Sequence, residues 1–164
     1  MSGFTIRPAL EADLAVINGI YNDYVLRSTC TYQTEPSTPA ERAQWFLEHQ
    51  KPYVATVAEM DREVVGWASL SRFHPRAAYR GTVENSVYVR QDRHRQGIGR
   101  ALLVDLIRRG KEAGFHTIVA IISADQVPSV KLHESFGFTP AGRLGQAGNK
   151  FNRWLDVAYL QLML

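Results

Sequence analysis

Apolar and polar positions alternate along the chain with two periods, and the switch between them marks out the elements. Residues 4–7 read as a short strand, after which Leu14, Ile17, Tyr21 and Tyr24 recur at helical spacing and predict an amphipathic helix from about Glu11. Residues 32–36 read as a loop. Thr38, Pro39 and Glu41 form a helix start, with a hydroxyl to cap, a fixed φ at the first position and a carboxylate to close a capping box. Trp45 and Phe46 in that helix are expected against the core. Residues 53–58 and 64–70 are β-rich runs joined through Met60-Asp61-Arg62, which predicts an antiparallel hairpin, and 83–89 is a further strand. Residues 97–113 place Ile98, Leu102, Leu106 and Ala113 on one stripe, with Lys111 in the last turn and Gly114 as the stop. The run 117–122 is short, apolar and β-branched throughout, as in a strand covered on both faces. Pro128 and Ser129 open a last helix, ended by Gly137. Strands 138–144 and 154–162 close the chain, with Trp154 expected in the core.

Strand, helix and strand from 83 to 122 form a right-handed βαβ unit among antiparallel runs, so the class is α/β with a mixed sheet. A length of 164 residues suits one domain, 1–164. Apolar residues at 45% and charged residues at 21% suit an ordered globular chain. No run approaches the roughly 20 apolar residues of a spanning helix, and nothing marks the chain for export, so it is expected in the cytoplasm. The single Cys30 has no partner for a disulfide and reads as a small half-buried residue far from any chemical signal. His49 and His116 have no ligand spacing, so no metal is assigned.

The net charge of +3 is mild, but its distribution is uneven. Arg90, Arg93, Arg95 and Arg100, with His94 among them, crowd one short stretch, either a local anion site or a solvated loop. No long basic face speaks for nucleic acid. Within the stretch, Arg93-His94-Arg95-Gln96-Gly97-Ile98-Gly99-Arg100 lies between a strand and a helix start. Unpaired N–H groups and the macrodipole at such an end attract phosphate, and glycine lets the backbone approach it. A dinucleotide fingerprint would need glycine where Leu102 stands, and a P-loop would need a Gly-Lys-Ser/Thr ending. Taken alone, the turn serves equally as a tight connection on a solvated basic face.

Val87-Tyr88-Val89, then Arg93 through Gly99 and Ala101-Leu102-Leu103, resemble the acetyl-CoA motif of GNAT acetyltransferases. Asp125-Gln126-Val127-Pro128-Ser129 through Phe136-Gly137-Phe138 resemble that superfamily's second cofactor-facing helix. Residues 78–89 and 148–157 are similar to the phosphinothricin and methionine sulfoximine acetyltransferases. The resemblance covers almost the whole chain. It implies a mostly antiparallel central sheet with a splayed parallel pair and flanking helices, and acetyl-CoA as co-substrate. It places the pantetheine arm against the backbone of Val87, Tyr88 and Val89. The pyrophosphate falls to His94, Arg95, Gln96, Gly97, Ile98, Gly99 and Arg100, with Gln126 and Ser129 also facing the cofactor. A homodimer is implied as well. Three residues depart from the pattern: His94 replaces Arg or Gln, Gln126 replaces asparagine, and Asn152 replaces glycine.

The activity implied is transfer of an acetyl group directly to the amine of a small amino-acid-like substrate of the phosphinothricin, methionine sulfoximine or methionine sulfone kind. Alternatives are an enzyme of the same superfamily acting on a protein N-terminus or another amine, and a non-catalytic CoA-binding module. An α-amine with a pKa near 8 is mostly protonated at neutral pH, so attack on a thioester needs a base. The resemblance puts that base at Glu84, which the alternation by itself equally allows to face solvent beside Ser86 and Tyr88. His133 is the expected proton donor to the departing thiolate, or else a structural histidine. No Gly-x-Ser-x-Gly nucleophile is present. For an acidic acceptor, Arg76 and Arg80 are the expected forks, His74 is expected to bind the substrate from the same loop, and Tyr32, Phe73 and Tyr79 are expected as walls, although the loop around His74 and Arg76 reads equally as a solvated connection. Residues 150–154 are expected near the site, from the sheet edge or from a partner subunit.

Overall fold

The computed structural model describes residues 3–164. Seven strands form one sheet: β1 (Phe4–Pro8), β2 (Val54–Met60), β3 (Glu63–Arg72), β4 (Thr82–Val89), β5 (Thr117–Ser123), β6 (Thr139–Lys150) and β7 (Arg153–Met163), in the order β1-β2-β3-β4-β5-β7-β6. All neighbours are antiparallel except β4 and β5. The four α-helices are α1 (Leu14–Arg27), α2 (Pro39–Glu48), α3 (Ile98–Glu112) and α4 (Val127–Glu134).

Side-chain alternation sorts the two layers. Ala68 and Leu70 of β3 pack with Leu102, Leu103 and Leu106 of α3, while Trp67 joins Ile17, Ile20 and Tyr24 of α1. Trp45 and Phe46 pack against the second cluster as expected. The α2 start also forms as read: Thr38 Oγ1 accepts from Glu41 N–H at 3.2 Å, and the Glu41 carboxylate accepts from Thr38 N–H at 2.7 Å, with Pro39 first in the helix. In the β2–β3 hairpin, Asp61 and Arg62 both take positive φ, the left-handed pair of a two-residue turn.

Four expectations need correction. Ala113 is exposed, because α3 ends at Glu112 before the stripe comes round again. Strand β5 is not covered along both faces: Ile121 is 37% exposed, where β5 leaves β4. β6 runs to Lys150 instead of stopping near 144, because register shifts after Pro140 and Leu144 interrupt its alternation without ending its pairing to β7. Trp154 is not core but 64% exposed, on the outer part of the β6–β7 hairpin.

The α3 stripe presses the start of that helix onto the sheet, so it positions whatever the preceding turn holds. Leu102 is fully buried in this cluster. Leu102→Ala is expected to lower the unfolding free energy by about 2–5 kcal/mol, read from the midpoint of a urea titration.

Candidate active site

β4 and β5 pair only over Thr82–Thr117, Val83–Ile118 and Glu84–Val119. Beyond Glu84 the strands part, and a cavity of about 290 Å³ opens between them. Its walls are the β4 run 84–88, the β5 run 121–123, the irregular segment 29–32, and Gln126, Ser129 and His133 from the α4 region. Inner strand edges ordinarily pair, so the separated edges offer backbone donors and acceptors to an extended ligand.

Glu84 is half-buried in this wall and, among the described residues, has no hydrogen-bond partner. Burial pushes its pKa up, with no nearby cation to offset it. It is therefore not the free surface carboxylate that alternation alone allowed. Ser71 lies directly opposite it on β3, and Ser71 Oγ is 2.7 Å from the buried His49 Nε2.

His133 is 4% exposed. Its Nδ1 lies 2.8 Å from the Ser129 carbonyl and its Nε2 2.8 Å from the Asn85 amide nitrogen. A carbonyl only accepts, so Nδ1 carries the proton; burial pushes the pKa down, against the opposing pull of the Ser129 bond, and keeps the ring neutral. Nε2 is then a bare acceptor for the Asn85 N–H. The expected role of His133 as proton donor to the thiolate does not fit this geometry; the ring instead fixes Asn85, whose Oδ1 is buried in the same wall without a partner.

At the end of β4, a 3-10 turn (Gln91–Arg93) leads into the basic turn. Arg95 and Gly97 have φ of 59° and 81°, the second a conformation that favours glycine. The first hydrogen bond of α3 runs from Ala101 N–H to the Gly97 carbonyl at 3.0 Å, so the amides before it are unused by the helix. His94, Arg95, Gln96, Gly97 and Arg100 are exposed, Gly99 is half-buried, and Ile98 points into the core, leaving only its backbone for a ligand. An anion can reach this turn, since no other part of the described chain covers it. Arg100 also lies over the Phe136 ring at 4.7 Å, which ties the turn to the end of α4.

A family model described as an acetyltransferase (GNAT) domain matches residues 6–159. The chain belongs to the GNAT acetyltransferase family. An L-methionine sulfoximine/L-methionine sulfone acetyltransferase of Pseudomonas paraeruginosa is 41% identical, over 98% of this chain and 94% of the relative. The crystal structure of a phosphinothricin acetyltransferase from Sinorhizobium meliloti in complex with acetyl-CoA superposes with a TM-score of 0.95 at 38% identity, covering 99% of this chain and 89% of that one. A ribosomal-protein-alanine N-acetyltransferase from Brucella melitensis also superposes with a TM-score of 0.95, at 38% identity and covering 98% and 99% of the two chains.

Within this GNAT fold the structure brings together Glu84, Val87, Tyr88, Gln126, Ser129, His133 and Tyr32 around one cavity. Val89 lies just beyond it, its carbonyl accepting from the Tyr24 hydroxyl, with His94 Nε2 3.1 Å away. The structure does not bring Phe73, His74, Arg76, Tyr79 and Arg80 into the cavity wall. β3 and β4 stop pairing at Arg72–Val83, and the connecting loop packs on itself: the Tyr79 ring lies 4.8 Å from that of His74 and 5.8 Å from that of Phe73, while Arg76 and Arg80 point to solvent.

Sequence reasoning missed Asn85, Ser123 and Thr29 through Thr31, and it placed Cys30 far from the site. Cys30 Sγ instead donates to Gln126 Oε1 at 3.1 Å in the cavity wall. No local pattern marks these residues, because contacts made across nearly 100 positions of sequence bring them together. Among the described residues, no group of three or more His, Cys, Asp or Glu side chains is placed to hold a metal, and no helix is long and apolar enough to cross a membrane.

Burial pushes the pKa values of His49 and His133 down. The unfolded chain takes up protons at these rings near pH 6.5 while the folded chain does not, so their contribution is complete above that pH and is lost as pH falls toward the depressed folded values. Urea titrations are expected to show stability falling from about pH 6.5 to pH 5, with a shallower slope in His133→Gln.

Proposed function

We propose that the protein is an acetyl-CoA-dependent N-acetyltransferase that acetylates the amino group of a small amino-acid-like acceptor of the methionine sulfoximine, methionine sulfone or phosphinothricin kind. The observation that carries this reading is Glu84, an unpartnered half-buried carboxylate standing where the parallel strands separate. The residues present suit acetyl-CoA. The open turn 94–100 has unspent amides and arginines for a diphosphate, and the run 85–89 of β4, unpaired on its β5 side, suits an amide-bearing arm. Gln126 and Ser129 border the same opening.

Bound acetyl-CoA supplies the acetyl group as a thioester. Glu84 would take the proton from the acceptor ammonium, a task that its raised pKa suits better than that of an ordinary carboxylate. The freed amine would then displace CoA from the acetyl carbon, and the departing thiolate would take up the second proton, lost by the acylated nitrogen. A β4 N–H near Val87 or Tyr88 would be available to stabilise charge on the thioester oxygen. The cavity walls hold amine and thioester together, which replaces an encounter in solution. No lysine or arginine lines the cavity among the described residues, and Arg76 and Arg80, the cations on the loop that enters β4 just before Glu84, stand outside its wall, so they could meet the acid group of the acceptor only where it emerges from the cavity. The homodimer implied by the family resemblance remains part of the proposal, supported by Leu144, Phe151 and Trp154, which the β6–β7 hairpin leaves exposed.

Acetyl-CoA at about a hundredfold over its Kd is expected to add about 2.7 kcal/mol of stability, read as a rise in Tm; no rise would remove the cofactor site. Glu84→Gln should keep that rise and lose about 10²–10⁴-fold in kcat. In the wild type, kcat at saturating substrates should fall as pH is lowered through the raised Glu84 pKa, above the ordinary carboxylate range. Thiol release should be followed over amino acids, their sulfone, sulfoximine and phosphinate analogues, and a peptide beginning with alanine. A peptide kcat/KM above that of every amino acid would replace the acceptor class with a protein N-terminus.

A further inference from the structure

The segment 28–32 has no regular structure of its own, yet Thr29, Cys30, Thr31 and Tyr32 form one wall of the cavity. Its shape is imposed from the far end of β6. Lys150 is 4% exposed, and its Nζ donates to the carbonyls of Ser28 and Thr31, both at 2.7 Å. Among the described residues no carboxylate pairs with this ammonium. Its compensation is the C-terminal end of α1, where Ser28 is the cap, together with the Phe151 ring at 5.1 Å.

Two residues earlier on the same strand, Gly148 lies under the Tyr32 ring so closely that a Cβ there would overlap the ring atoms. Tyr32 cannot yield easily, because its hydroxyl lies 2.8 Å from both the Asp156 carbonyl and Ser123 Oγ. The middle of the segment is tied to the α4 side: Thr29 Oγ1 donates to the Asp125 carboxylate, and Gln126 Nε2 donates to Thr29 Oγ1 at 2.7 Å. Lys150 therefore closes the segment at both ends while Gly148 sets how deep Tyr32 sits.

We infer that Gly148 and Lys150 are positioning residues for the acceptor, acting through the 28–32 wall, with Gly148 setting the room available to the acceptor side chain and Lys150 holding that wall shut. This rests on the proposed reading in taking Tyr32 as part of the acceptor wall. Neither residue lines the cavity, so neither touches the reacting atoms.

Lys150→Met retains length and removes the donors, and Lys150→Arg retains charge and donors. In Lys150→Met, amide hydrogen exchange over residues 29–33 should accelerate about tenfold or more, because the segment loses both of its bonds to Lys150. The acceptor KM should rise about tenfold while the acetyl-CoA KM stays within about twofold, and Lys150→Arg should recover part of both effects. Gly148→Ala should raise the acceptor KM, most for acceptors with the longest side chains, and leave the acetyl-CoA Tm shift in place. Unchanged exchange in Lys150→Met would overturn the inference, as would faster exchange with an unaltered acceptor KM, or an equal rise in both KM values. The exchange result decides whether Lys150 holds the segment even if the wild type turns over no amino acid in the panel, an outcome that would remove the acceptor class alone. If Lys150→Met fails to fold, Gly148→Ala carries the test, and an unchanged acceptor preference there would sink the inference.

Discussion

Three residue pairs join β4 to β5, and the cavity of the molecule depends on their ending at Glu84. A strand in the middle of a sheet normally satisfies its backbone on both sides. Here β4 is paired to β3 along its length, from Val83 opposite Arg72 to Val89 opposite Gly66, but loses β5 after Glu84. The sheet survives because the antiparallel pairing to β3 on one side and of β5 to β7 on the other continues unbroken. The cost of the unpaired edges is thus confined to one opening with Glu84 at its closed end and the basic turn beyond Val89.

The opening keeps its width because each side is anchored to a different layer. α3 packs on β3 and β4 through Ile98, Leu102 and Leu106, which sets the turn in place from one face. On the other face, Tyr24 from α1 reaches the Val89 carbonyl and His94, so the same turn is gripped from both layers. α4 contributes Asn85's partner His133, held neutral by burial, so the ring sits in the cavity wall without adding a charge there. Glu84 is left as the one carboxylate lining the cavity among the described residues.

Elements whose evidence is local were legible in the sequence. The α2 start required only Thr38, Pro39 and Glu41, and the α3 stripe only its own periodicity up to Leu106. The resemblance to GNAT enzymes led to the splayed parallel pair, which no periodicity shows, since strand separation is a relation between two runs more than 30 residues apart. The second half of β6 was lost because its register shifts break the alternation on which a strand is recognised. Trp154 was misplaced because a large aromatic on a strand reads as core, and only the position of the hairpin at the sheet edge shows that its side chain meets solvent. The 29–32 wall was invisible for a different reason: it has no pattern at all, and its form comes from Lys150, Asp125 and Gln126, about 100 or more positions downstream.

The three departures from the family pattern are each absorbed by backbone geometry or by neighbours. Asn152 and Phe151 both take positive φ in a two-residue hairpin between Lys150 and Arg153, which explains why glycine is usual there and why asparagine, the side chain most tolerant of that region, can replace it. His94 leaves the amides of the turn untouched and spends its ring on Tyr24 and the Val89 carbonyl, bracing the turn from within. Gln126, one methylene longer than asparagine, reaches to Thr29 and Cys30 and so ties the α4 side of the cavity to the 29–32 wall. A turn that offers backbone N–H groups tolerates such exchanges, because those groups do not depend on the side chain. A wall built from side-chain contacts, such as those that hold Tyr32 to Ser123 and the Asp156 carbonyl, has no such latitude, because each contact needs its own side chain.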